Sequence, residues 1–93
     1  MVCIKRLILD VLKPHRPNAL DFARALADLG KDTKINLTVE SVDEKTENVL
    51  VVVEGEDIDF TAIEEQINEL GATVHSIDEV EVVGTSNGPN DTA

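Results

Sequence analysis

Carboxylates supply most of the polar chemistry in this chain, and many of them stand where apolar runs end. Asp10 follows Ile8 and Leu9, Glu54 closes the run Val49-Leu50-Val51-Val52-Val53, and Glu56, Asp57 and Asp59 come soon after it. Oxygen-rich sets of this kind suit hard cations, since calcium takes roughly six to eight oxygen ligands from carboxylates, carbonyls and water. The candidate metal ligands are Asp10, Glu54, Asp57, His75 and Asp78, with calcium as the candidate ion and a neighbouring subunit as the source of missing ligands. No spaced helix-loop-helix calcium loop is present, so a merely solvated acidic edge competes with a specific site. Asp59 stands just before a helical pattern and reads as its cap rather than as a ligand.

His75, Asp10 and Ser76 supply the residue types for a base, an orienting acid and a hydroxyl. Adjacent residues of a strand point to opposite faces, so Ser76 cannot serve His75 in a relay within one chain. Two histidines and the single, distant Cys3 make a poor closed zinc set. His75 is therefore either a ligand or a hydrogen-bonded residue at a subunit interface. Nothing else specifies a reaction, and the expectation is a protein without enzymatic activity.

Six elements must position these groups. Val2 to Leu12 is a strand with Lys5, Leu7, Leu9 and Val11 on one phase and Arg6, Ile8, Asp10 and Leu12 on the other; Lys13-Pro14-His15-Arg16-Pro17 stops it. Asn18 caps a helix whose apolar stripe is Ala19, Phe22, Ala23, Leu26 and Leu29, with Gly30 expected as its left-handed end. Thr33 to Val42 alternates as a half-buried strand, and the polar stretch from Asp43 to Asn48 leads by a hairpin into the β-branched strand Val49 to Val53. A strand so uniformly apolar belongs at the centre of a sheet, buried on both faces. Phe60, Ile63, Ile67 and Leu70 give the second helix its buried stripe, stapled by Ile58 and Ile63 and ended by Gly71. The last strand runs from Thr73 to Val83 with an irregularity near Asp78 and Glu79, and residues 85–93 read as a flexible tail behind a single domain spanning 1–84.

The order βαββαβ predicts an α+β, ferredoxin-like fold: a four-stranded antiparallel sheet in the order 4-1-3-2 with two helices on one face. The carboxyl ends of the first and third strands, read as parallel to each other, and the amino end of the fourth are expected at one edge, gathering Asp10, Glu54, Asp57, Asp59, His75 and His15. The uncovered face would carry Ile8, Leu12, Val42, Leu50 and Val52. Exposed apolar area of this kind on a small domain predicts a homo-oligomer built through that face.

Composition closes off several functions. There are 19 Asp and Glu against 8 Lys and Arg among 93 residues, a formal net charge of −11, which repels nucleic acid and anionic lipid. Two Phe and no Trp or Tyr leave no stacking platform for RNA bases. A copper carrier would need Cys-x-x-Cys after the first strand, and an acylphosphatase a glycine-rich phosphate cradle; Pro14-His15-Arg16-Pro17 is neither. Cys3 reads as buried packing, and the apolar runs fall far short of the ~20 residues of a membrane span. With no signal peptide before Lys5 and Arg6, a soluble cytoplasmic protein is expected.

Three blocks carry a family resemblance: Leu9-Asp10-Val11-Leu12-Lys13-Pro14-His15; Asp43 to Asn48 leading to Glu54-Gly55-Glu56-Asp57-Ile58-Asp59-Phe60; and Gly71 to Val80. In order and spacing the chain from Val2 to about Gly84 resembles the small archaeal family called domain of unknown function 211. The resemblance implies a ferredoxin-like fold, a ring-like homo-oligomer, and divalent-cation binding with calcium as the ion, without an established activity. It also implies an archaeal source, and the acidity suits a salt-loving one. Two other functions fit the fold and charge: a small-molecule-sensing regulatory domain that uses paired sheets, and an acidic translation exchange factor with a basic protein partner.

Overall fold

The computed structural model describes residues 1–84, and the tail expected at 85–93 lies outside them. The elements are β1 (Val2–Pro14), α1 (Ala19–Ala27), β2 (Lys34–Val42), β3 (Thr46–Glu54), α2 (Phe60–Glu69) and β4 (Thr73–Gly84). They form an antiparallel sheet in the order β2-β3-β1-β4, which is the ferredoxin-like arrangement expected from the hydrophobic pattern. Both central strands send their odd-numbered side chains to the helices: Leu7, Leu9 and Val11 from β1, and Val49, Val51 and Val53 from β3, each at most 1 % exposed. Phe22 and Leu26 of α1 and Ile63 and Ile67 of α2 close over them.

The caps follow local rules. Asn18 accepts from the Asp21 amide at 2.8 Å and Asp59 from the Ala62 amide at 3.2 Å, each satisfying a donor that the first helical turn cannot. Gly71, with φ of 85°, ends α2 as expected. Gly30 does not end α1 in this way. That helix stops at Ala27 with Asp28 as a right-handed cap, and Gly71 is the only described residue at positive φ. Leu29 consequently leaves the helical stripe and is 41 % exposed.

Strand lengths and faces differ from expectation in instructive ways. β1 continues through Lys13 to Pro14, because a terminal proline forfeits only one ladder donor, and β3 begins at Thr46, leaving a three-residue turn, 43–45. On β3 only the helix face is fully buried; Leu50 and Val52 are half-buried on the uncovered face. A register shift between Val39 and Ser41 moves Val42 off the open face, to pair with Glu47 on the helix side. Cys3 is partly exposed rather than buried.

The largest correction concerns strand direction. The α1 crossover returns β2 parallel to β1, and the tight turn then reverses β3, so β1 and β3 are antiparallel. Glu54 therefore lies opposite Arg6, whereas Asp10 lies opposite Leu50. The two carboxylates expected at one edge stand four positions apart on β1, about 13 Å at strand rise.

Leu9→Ala is expected to cost about 2–5 kcal/mol by removing a fully buried side chain. Asp59→Ala should cost about 0.5–2 kcal/mol through loss of its cap. Urea denaturation of both variants checks the order.

Candidate functional site

The open face has an apolar centre and a polar rim. Ile8 pairs with Val52, and Leu50 sits beside them on β3. Below this centre Arg6 Nε donates to Glu79 Oε2 at 2.9 Å and its Nη1 to Glu54 Oε2. Lys34 Nζ stands 3.9 Å from the other oxygen of Glu54. Glu54 is thus committed to cations of its own chain and is unavailable to a metal at Asp10.

Above the centre the carboxylates are better placed. Asp10 pairs in register with Ser76 of β4, and its Oδ1 accepts from Asn48 Nδ2 on β3. Ser76 Oγ donates to Asp78 Oδ1 at 2.7 Å. Two irregularities in β4 create this arrangement, since one position is skipped at His75 and another at Asp78. Strict alternation would have set His75 across from Asp10; the bulge puts Ser76 there instead. Asp10 neither pairs with Arg6 nor with Lys13, the cations nearest to it in sequence.

Asp57 lies at the opposite end. It lines a cleft of about 210 Å3 between the α1/β2 and β3/α2 loops, together with Gly30, Asp32, Thr33, Gly55 and Ile58. Backbone bonds fix that loop to β1: the Gly55 amide donates to the Lys5 carbonyl at 3.1 Å and the Ile58 amide to the Ile4 carbonyl at 2.9 Å. Of the five candidate ligands, then, Asp10, His75 and Asp78 share one stretch of the β1/β4 ladder, and Glu54 and Asp57 lie elsewhere. Among the described residues, no group of three or more His, Cys, Asp or Glu is gathered as a metal site within the chain.

A third cluster escaped the reading of the sequence. Lys13 is fully buried, its ammonium donating to the Pro14 carbonyl at 2.8 Å and to Glu47 Oε1 at 3.1 Å, and lying 5.9 Å from the Phe22 ring centroid. The other oxygen of Glu47 meets His15 Nδ1 at 3.0 Å, and His15 Nε2 meets the Glu44 carbonyl at 2.9 Å. The hydrogen bond to Glu47, and after it that to Glu44, raises the His15 pKa above its ordinary value; His15 and then Lys13 hold Glu47 below the ordinary carboxylate range. The signal was present, because the phase Lys5, Leu7, Leu9, Val11 continues to Lys13. The prolines that follow it suggested an earlier strand end.

Residues 5–87 match the model of domain of unknown function 211, described as an uncharacterized ArCR. The chain belongs to this family. An uncharacterized protein of Methanocaldococcus jannaschii is 49 % identical over 77 residues, covering 83 % of this chain and 79 % of the relative. The family is archaeal and of unknown function. Among the described residues no helix is long and apolar enough to cross a membrane.

Removing one partner of a buried ion pair strands the other charge, whereas replacing both with apolar groups does not. Glu47→Leu alone should therefore lower the melting temperature clearly, and Lys13→Met combined with Glu47→Leu should recover about half or more of the loss. Calorimetry on the two variants and the parent checks this.

Proposed function

We propose that this member of the family is a non-enzymatic, self-associating module whose open sheet face packs on another copy and holds a divalent cation, calcium, between copies. The observation that carries the reading is the layout of the face: Ile8, Leu50 and Val52 at the centre, with Asp10, Ser76, Asp78 and Asn48 on one side of the rim. An apolar centre with a polar rim is the anatomy of a protein interface. The occupant argued here is a second copy, because burying Ile8, Leu50 and Val52 supplements the core of a domain small enough to need it.

The cation enters through charge. Two chains of net charge −11 repel each other, and face-to-face association brings their rim carboxylates together. Asp10 and Asp78 of one chain supply too few oxygens for calcium; the same residues of a second chain double the number toward the six to eight such an ion takes. Glu54 lies outside the proposed site because Arg6 and Lys34 neutralise it. Asp57, at the far loop, is likewise outside.

The test is thermal melting of metal-stripped protein at fixed ionic strength with calcium or magnesium. A saturable rise is expected with calcium at micromolar to millimolar levels, about 2.7 kcal/mol at a hundredfold excess over Kd. Asp10→Asn and Asp78→Asn should abolish it and Asp57→Asn should leave it intact. An equal rise with both ions, insensitive to Asp10→Asn, would mean charge screening and would sink the cation site.

A further inference from the structure

We infer that protonated His15 is a latch that ties the segment after β1 to the β2/β3 turn, and that loss of its proton releases the turn while the sheet stays folded. The two ring nitrogens decide this. Nδ1 lies 3.0 Å from the Glu47 carboxylate and Nε2 lies 2.9 Å from the Glu44 carbonyl, and both of these partners are acceptors. Only the imidazolium can donate from both nitrogens. A neutral ring keeps one hydrogen bond and turns a lone pair toward the other acceptor, whichever tautomer it adopts.

Which contact gives way follows from the acceptors. A bond to the Glu47 carboxylate is charge-assisted and stronger than one to the neutral Glu44 carbonyl. The neutral ring therefore keeps its proton on Nδ1 and turns the Nε2 lone pair toward Glu44. From β3, Glu47 faces the ring; from β1, Lys13 shares that carboxylate at 3.1 Å. From the turn, Glu44 and Asp43 present backbone carbonyls. Glu47 remains anchored by the buried Lys13 when His15 is neutral, so the end of β3 is held independently. The turn has no such independent anchor: its Glu44 carbonyl, with that of Asp43 beside it, meets the segment after β1 through the His15 ring. Residues 43–45 are exposed, and their own closing bond runs from the Asp43 amide to the Thr46 carbonyl at 2.7 Å.

The direction with pH follows. A His15 pKa raised on folding gives a contribution fully present below the unfolded value of ~6.5 and lost as pH rises through the higher folded value. Glu47, held below its ordinary value, sets the opposite limit: its contribution is lost as pH falls through its folded pKa. The latch is closed between the two and opens on the alkaline side.

NMR titration of the full chain tests it, following the His15 ring carbons with the Asp43 and Glu44 amides. His15 is expected to titrate at a higher midpoint than in the urea-unfolded chain, with both amides moving at that same midpoint. Exchange of the Asp43 amide, corrected for intrinsic base catalysis, should rise about threefold to tenfold across the transition as one hydrogen bond is lost. His15→Gln, at a position 40 % exposed, should fold and show no such transition in the turn. A midpoint equal to that of the unfolded chain, turn amides indifferent to His15, or a transition that survives His15→Gln would each overturn the latch.

Discussion

The antiparallel register between β1 and β3 is the constraint on which everything else depends. It sets Leu7, Leu9 and Val11 against Val53, Val51 and Val49 on the helix side, where six fully or almost fully buried side chains form one layer. α1 and α2 close on that layer, and with only two Phe in the chain the packing rests on aliphatic interdigitation. The same register places the polar groups. Because β3 runs back along β1, Glu54 joins Arg6 at one end, and Asn48 joins Asp10 toward the other.

The fold was legible because each element carried its own period. Alternation in β2, the β-branched run in β3, the stripe of Ile63 and Ile67 in α2, and the caps at Asn18 and Asp59 all act locally, and they agree with one another. The site was less legible because it depends on side-chain partners across strands. Asp10 and Asp78 were identified, and the β4 bulges that bring Ser76 rather than His75 beside Asp10 were anticipated only as an irregularity near Asp78. A bulge moves every later side chain to the other phase, and alternation cannot reveal where it falls. Val42 changed faces for the same reason on β2.

Lys13 illustrates a different failure. Charged residues are rarely buried without a partner, so a lysine ahead of a proline suggests a strand end. Here the partner, Glu47, comes from the strand that β1 meets only after folding, and both oxygens of that carboxylate are used, one by Lys13 and one by His15. The buried side-chain nitrogens and oxygens among the described residues all have hydrogen-bond partners, Lys13 Nζ among them. The far end differs: Asp57 and its neighbours line an open cleft without converging on a common point.

The central functional claim is that the open face is covered by another copy, with the cation between the two. Sedimentation velocity at fixed ionic strength, in calcium and then in chelator, tests it most directly, with Leu50→Glu as the comparison because that side chain lies at the centre of the face. The account predicts a sedimenting mass of at least two chains in calcium, a shift toward the monomer in chelator, and a monomer for Leu50→Glu in both. A parent chain that sediments as a monomer in calcium at high protein concentration, or a Leu50→Glu chain that associates as the parent does, would contradict it.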